Sequence, residues 1–442
     1  MTTKDSKAEF VAIDDLRVGM FVYLDLGWMQ HPFALNSFKI TTQDQIVTLA
    51  GLGLKQLRWS PEKSDPEPSA HGTDTDDRPV DYAAEAAQAR QAVVEAVAAE
   101  AALVAEKRRL RQERLKEQLD SLDLCDRQFT QASRTYRMIS DQVHSQPEAA
   151  GAQAAEAIAR MVEKMGGHEE IAIRLLSENM GERASMHSIN VTVVSLLLGK
   201  AMGLDDAALQ VLGTGALLHD IGKIVLPERL RWQDEDFKGA ERKLYQDHVA
   251  HGIALGQAMK LPAAALAVIA QHHELADGNG YPYQLPGEKI APSARIVALV
   301  NQYDKLCNPG NPLQALTPHE ALSHIFAQMK RQYDPAALAS FIHMMGVYPP
   351  GSVVELTDGS FAIVVSVNSS RPLKPHIIIH RPRVPRDEAC VEDLEQLPEL
   401  GIRRSLKPMQ LPKAAFDYLS PRKRICYYFE RARSLPDVGG TQ

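Results

Sequence analysis

Histidine is spread unevenly along this 442-residue chain: of 15, six (His187, His219, His248, His251, His272 and His273) fall between positions 187 and 273. Imidazole nitrogens ligate transition metals and exchange protons near neutral pH, so such a cluster points to metal or acid–base chemistry. At its centre stands His219-Asp220, closing the apolar run Thr214-Gly-Ala-Leu-Leu. An imidazole and a carboxylate side by side can address one cation. Lys223 lies four residues after His219 and shares its face if the turn stays helical, so an ammonium would reach whatever a metal binds. Alone the pair says little, because Asp near a helix end more often bonds local backbone. Each other histidine, taken singly, reads equally well as a satisfied core or surface residue. Together, four successive helices each present His at one end, and a bundle can converge them on one site. Six or more N and O ligands exceed the four of a structural zinc site. They suit two or three divalent ions of the iron or manganese type.

The elements that must position these groups can be read from period and punctuation. Ser185 can cap a helix through His187 that Gly203 ends, and Asp205 or Asp206 opens the next, which carries His219 and stops at Pro227. A third, from about Gly239 to Met259, bears His248; Pro262 starts a fourth, ending at His272-His273. Thr317-Pro-His-Glu320 forms a capping box. The pattern predicts a nearly all-helical bundle over 148–345. Beyond it the period changes to 2, with Asp358-Gly359 as a hairpin turn, which predicts a C-terminal β extension and tail over 346–442. Upstream, residues 9–60 alternate short apolar runs with turns and predict a small α+β module. Residues 61–80 are rich in Pro, Ser and Asp and read as a linker. Residues 81–146 are Ala-, Glu- and Arg-rich and predict a long helical connector. Every candidate ligand lies beyond that helix, so a fragment starting at 148 should fold and function alone. The fold class is therefore mainly α.

Lys and Arg number 49 against 56 Asp and Glu, a formal net charge of -7, which leaves no basic excess for coating DNA or RNA. The basic stretch of the connector, Glu106 to Glu117, interleaves glutamates at i to i+4 spacing and reads as a solvated helix face. Cys125, Cys307, Cys390 and Cys426 lack the short spacings of zinc or redox sites, which fits reduced thiols in a cytoplasmic protein. No run approaches the ~18 apolar residues of a membrane span, and the N-terminus has no leader-like apolar stretch. The long helix offers a surface for homodimer formation and for signalling partners.

His219-Asp220-Ile-Gly-Lys223, then His248 with Gly252, then His272-His273-Glu-Leu-Ala-Asp-Gly-Asn-Gly-Tyr-Pro282, then Ala294-Arg-Ile, resembles the HD-GYP family of cyclic di-GMP phosphodiesterases. The likeness covers about 170–350; residues 9–140 resemble the domain of unknown function often placed before such modules. The resemblance implies that His187, His219, Asp220, His248, His272 and His273 are metal ligands. It implies that Lys223 touches substrate phosphate or the bridging hydroxide, with Asp220 and Lys223 serving the chemistry. Glu182, five before His187, stands where three-metal members often carry an acidic residue. Gly280, Tyr281 and Pro282 would line the substrate cleft, and His251 would be a neighbouring or surface residue. Two positions depart from the family. Asn301 replaces a late Asp ligand, bringing a carbonyl oxygen without charge, and Asp304 three residues on could compensate. Pro309-Gly-Asn-Pro-Leu313 replaces a basic phosphate-gripping segment, leaving Lys305 as the nearest substitute. The implied activity is hydrolysis of cyclic di-GMP to pGpG, or further to GMP. The alternatives are a weak or inactive cyclic di-GMP-binding signalling module and a phosphohydrolase of ordinary nucleotides.

Overall fold

The computed structural model describes residues 9–26, 33, 35–66, 82–166, 171–177, 182–231, 237–368, 371 and 373–431. The chain divides into two compact units, Met1–Val93 and Val94–Gln442. In the first, strands β1 (Glu9–Ala12), β2 (Phe21–Tyr23) and β3 (Ser37–Lys39), helix α1 (Gln43–Gly51) and strand β4 (Gln56–Ser60) build an antiparallel sheet of order β1-β4-β2-β3. Val22, Ile40 and Leu49 are fully buried in its core. The unit runs past the expected boundary at 60. The Phe21 amide donates to Ser64 Oγ at 2.8 Å, and Lys39 pairs with Asp65 at 2.6 Å. Residues 61–66 are therefore ordered by side-chain partners that a composition-based linker assignment overlooks, while 67–81 lie outside the described residues.

Helix α2 (Tyr82–Gln142) is the expected connector. Residues 94–113 are exposed all round, and Arg109 bridges Glu106 and Glu113 at 2.5 and 2.6 Å, as the charge pattern predicts. Its last turns differ: Cys125, Phe129, Tyr136 and Ile139 are buried in the core of the second unit. The connector is thus part of the domain it leads into. Helix α3 (Pro147–Met165) follows, then strand β5 (Ile171–Leu175), then the helices that carry the histidines: α4 (Arg183–Ala201), α5 (Asp206–Leu218), α6 (Gly239–Gln246), α7 (His248–Ala258) and α8 (Ala263–Gln271). The run expected as one helix over 239–259 is broken at Asp247. Asp205 caps α5, accepting from the Ala208 amide at 2.8 Å. Helices α9 (Pro292–Cys307), α10 (Pro318–His324) and α11 (Pro335–Met345) complete the bundle, with the Thr317–Glu320 capping box in place.

Strands β6 (Val353–Leu356), β7 (Phe361–Asn368), β8 (His376–Ile379), β9 (Glu392–Asp393) and β10 (Ile402–Leu406), helix α12 (Lys413–Leu419) and strand β11 (Tyr427–Arg431) form the C-terminal part. The sheet path is β10-β6-β7-β5-β11, with β8 on β7 and β9 on β8. This corrects the division at 345/346, because β5 comes from inside the region expected to be helical. Its five residues, Ile-Ala-Ile-Arg-Leu, are buried and pair with β7 on one side and β11 on the other. Such a run is too short for a stable helix, and distant strands supply its backbone partners. Helix still dominates, and the fold class is mainly α. No helix among the described residues is long and apolar enough to cross a membrane.

Candidate metal centre

Helix α5 packs against α4 and α8, and α9 covers α4 and α8. His187 projects from the second turn of α4. His219 is the residue after α5, and Asp220 opens the 3-10 turn Ile221–Val225 that holds Lys223. That turn lies against α7: a Cβ on Gly222 would stand 2.0 Å from the His248 carbonyl oxygen and 2.4 Å from the Gly252 nitrogen. Only glycine permits this approach, which brings Asp220 to His248. His272 directly follows α8, and His273 follows it.

The carboxylate of Asp220 is the centre of two groups. On one side its Oδ2 is 3.4 Å from Nε2 of both His187 and His219, whose Nε2 atoms are 3.3 Å apart. On the other its Oδ1 is 3.4 Å from His248 Nε2 and 3.6 Å from His272 Nε2, which are 3.3 Å apart; His273 joins this group. Four imidazoles direct Nδ1 at an acceptor: His187 at Asp304 Oδ2 (2.5 Å), His219 at the Ala216 carbonyl (2.7 Å), His248 at that of Tyr245 (2.5 Å) and His272 at that of Ile269 (2.8 Å). These bonds place the proton on Nδ1 and leave the Nε2 lone pairs facing one another. Lone pairs so opposed repel unless a cation lies between them. Two nitrogens about 2.1 Å from one ion, at a near-tetrahedral angle, stand about 3.4 Å apart, close to the 3.3 Å of each pair here. His273 Nε2, Asp220 Oδ1 and Asn301 Oδ1 are buried and have no hydrogen-bond partner, an arrangement that a bound ion relieves. The donor set fits divalent metal ions.

Electrostatics agree for four of the five rings; for His187 burial is outweighed by Asp220 and Asp304, which raise its pKa. Burial pushes the pKa of His219 down to about 4 and those of His248, His272 and His273 below the ordinary value, so these rings are neutral, as ligands must be. Burial alone would raise the Asp220 carboxyl, but Lys223, at 2.5 Å, and the surrounding histidines outweigh it and hold it well below the carboxylate range.

His187, His219, Asp220, His248, His272, His273 and Lys223 are thus brought together. Glu182 is not. It stands at the N-cap of α4 with its side chain 64% exposed, 3.6 Å from Arg137, because five residues turn it away from the face of His187. Asn301 is 2% exposed on α9. Asp304 does not substitute for it, since both its oxygens are engaged: Oδ2 by His187, Oδ1 by Asn190 Nδ2 and Asn308 Nδ2, each at 2.9 Å. It aims His187 instead. Lys305 lies close to the cluster: burial and then the Lys223 charge lower its pKa to about 7, and its own charge lowers those of His272 and His273. The Tyr281 ring stacks on His273 at 4.4 Å, and the Tyr281 amide donates to the His273 carbonyl. A Cβ on Gly280 would meet the Leu275 nitrogen at 2.4 Å, so the loop folds tightly onto the histidine doublet. Pro282 is exposed beside them, and His251 belongs to neither metal group.

Sequence reasoning missed the buried Glu274, which accepts from the Tyr283 and Leu285 amides at 2.6 and 2.8 Å and so holds the Gly-Tyr-Pro loop. It also missed Asn190 and Asn308. Their helical spacing, three after His187 and four after Asp304, was the available signal.

Residues 138–337 match the family described as HD domain, and residues 10–154 match a domain of unknown function, DUF3391. The chain is 28% identical over 215 residues to a cyclic di-GMP phosphodiesterase of Pseudomonas aeruginosa, covering 48% of this chain and 52% of that protein. It is 30% identical over 151 residues to a cyclic di-GMP phosphodiesterase response regulator of Xanthomonas campestris (34% and 40%). It is 27% identical over 184 residues to a 3'3'-cGAMP-specific phosphodiesterase of Vibrio cholerae (41% and 35%). The matches thus span about half or less of these relatives' own lengths. With the double-histidine and Gly-Tyr-Pro segment folded onto the His-Asp pair, residues 138–337 form an HD domain that resembles the HD-GYP type, behind a DUF3391 segment at 10–154.

Proposed function

We propose that this protein is a metal-dependent phosphodiesterase that opens cyclic di-GMP to pGpG, and further to GMP. The observation that carries the proposal is the pair of ligand groups sharing Asp220, with Lys223 beside the shared carboxylate. His187, His219 and Asp220 would hold one ion, with Asn301 beside them, and Asp220, His248, His272 and His273 the other. Iron suits the imidazoles of this set, and manganese would draw on the shared carboxylate and bound water. Two such ions, when bound, make a water nucleophilic at neutral pH and withdraw charge from the non-bridging oxygens of a phosphodiester. The chain's own groups do the rest. Lys223 and Lys305 bring positive charge to the dianionic substrate, and their neighbourhood is dry, which strengthens each contact. Tyr281, stacked on His273, and the Gly280–Pro282 loop wall the cleft. The surroundings of His219 keep it neutral, so it ligates rather than protonates.

The test is anaerobic purification with metal analysis, then product chromatography after incubation with cyclic di-GMP and, separately, 3'3'-cGAMP. Metal together with linear pGpG supports the reading. His219→Ala with Asp220→Ala should remove metal and product while leaving helical content near wild type. Cyclic di-GMP bound but left intact would instead favour the signalling-module alternative, a reading that the neutral Asn301 and the cation-free 309–313 segment support. Exposed Val94, Val97 and Val104, on one side of α2, offer an apolar surface for homodimer formation or for signalling partners, which sedimentation would detect.

A further inference from the structure

The face of α4 that carries His187 also carries a cation. At about 100° per residue, Glu182 lies about 140° away from the direction of His187, whereas Arg183 lies about 40° from it. Arg183 is half-buried. Burial, and then the charge of Arg424, disfavour its protonated form, while Asp304 and Tyr245 favour it. Those neighbours locate it. Asp304 bonds His187 of the first ligand group, and the Tyr245 ring packs 4.9 Å from that of His248 in the second. Sharing that face one turn before His187, Arg183 stands at the rim of the first group. Arg424 is fixed to the same rim: the next residue, Ile425, donates its amide to Asn308 Oδ1 at 2.8 Å, and its carbonyl accepts from Asn190 and Asn308. Tyr245 Oη, also in this region, is buried with no hydrogen-bond partner.

Resting on the phosphodiesterase reading, we propose that Arg183 contacts a phosphodiester oxygen of the substrate, in a centre that holds two metal ions and excludes a third. The charge count supports this. Among the described residues the two ligand groups share one carboxylate, Asp220, and Asp304 is committed to holding His187. Among the described residues, a third divalent ion near Arg183 would meet a guanidinium and no carboxylate of either ligand group. A guanidinium offers instead a planar fork of donors that matches phosphate oxygens, a task the 309–313 segment cannot perform.

The experiment uses the full chain loaded with Mn²⁺ under argon. Metal per chain is counted, inorganic phosphate binding is measured by calorimetry, and KM and kcat are determined with cyclic di-GMP for wild type, Arg183→Ala, Arg183→Lys and Arg183→Glu. Wild type, the Ala variant and the Lys variant should each hold two ions. Arg183→Ala should weaken phosphate binding and raise KM by about tenfold or more, with kcat changed less, and Arg183→Lys should restore part of both. Arg183→Glu should gain a third ion. Three ions in wild type, or phosphate affinity and KM unchanged in Arg183→Ala, would overturn the proposal. A wild type that binds two ions and phosphate but cuts no cyclic dinucleotide would sink the phosphodiesterase reading alone, and the phosphate titration would still decide the role of Arg183.

Discussion

Asp304→Asn exchanges one oxygen for an NH2 group and sets every neighbour in conflict. The carboxylate accepts from three side-chain donors: His187 Nδ1 on one oxygen, Asn190 Nδ2 and Asn308 Nδ2 on the other. An amide has a single acceptor oxygen. If that oxygen keeps facing the two asparagines, its NH2 group faces His187 Nδ1, and the ring must move its proton to Nε2, the atom that would ligate. If the amide flips, His187 keeps its partner but two other hydrogen bonds are lost, at about 1.5–3 kcal/mol each for bonds to a charged group. The first arrangement costs the fold less, because one hydrogen bond is merely reversed, so the metal-free protein should lose about 1 kcal/mol. Metal binding must then reverse the tautomer. Loss of such an outer partner weakens metal affinity by about 10–100-fold, or about 1.4–2.7 kcal/mol. The second group is anchored through backbone carbonyls that the substitution does not touch. Competition against a chromogenic chelator under argon should therefore show one binding step weakened and the other unchanged. Both steps unchanged, or both weakened alike, would refute the assignment of Asp304 to His187.

Asn301→Asp adds a carboxylate where a neutral buried oxygen lacks a partner, and should tighten the same binding step about tenfold or more and lower the metal needed for turnover; an unchanged titration would place Asn301 outside the site. Lys223→Ala should reduce turnover by about 10²-fold with bound metal nearly unchanged, and loss of metal would contradict its role. A chain beginning at residue 148 should be insoluble, whereas one beginning at Val94 should melt cooperatively. The shorter chain loses Phe129, Tyr136, Ile139 and Val143, all buried, worth about 1.5–3 kcal/mol each against a total stability of roughly 5–15 kcal/mol. Equal melting temperatures for the two fragments would show that these residues carry no such weight.

The site was legible where chemistry restricts residue choice. No common structural need places five histidines and an Asp at those spacings, and helix ends marked by Asp205 and Thr317 could be read from their caps. Strand β5 was not legible, because five apolar residues carry no strong period and their partners, Ser366 to Asn368 and Tyr427 to Arg431, lie nearly 200 residues or more away. Glu182 was misplaced by one position, which on a helix is a change of face. Asp304 shows a third kind of difficulty. Its distance from Asn301 suggested a substitute ligand, yet its role depends on Asn190 and Asn308, and pairwise spacing does not show which oxygens are already taken. The packing of the last turns of α2 was hidden by the polar composition of its first half.

The way His187 is aimed also fixes an order of assembly. All six proposed ligands have been synthesised once the growing chain reaches residue 273. His248 and His272 take their Nδ1 partners from carbonyls three residues earlier, so their orientation is complete as soon as the α6–α7 junction and α8 form. His187 has to wait. Its partner Asp304 is held by Asn190 and Asn308, and those amides are pinned in turn by Ile425 and by the Tyr427 amide, 237 residues beyond Asn190. Closing so long a loop is slow, and it can occur only after the last strand has left the ribosome. On the proposed ligand assignment the two halves of the centre would mature at different times: an ion arriving early would meet the His248 half ready, and the His187 half would become a binding site only when the C-terminal strand docks.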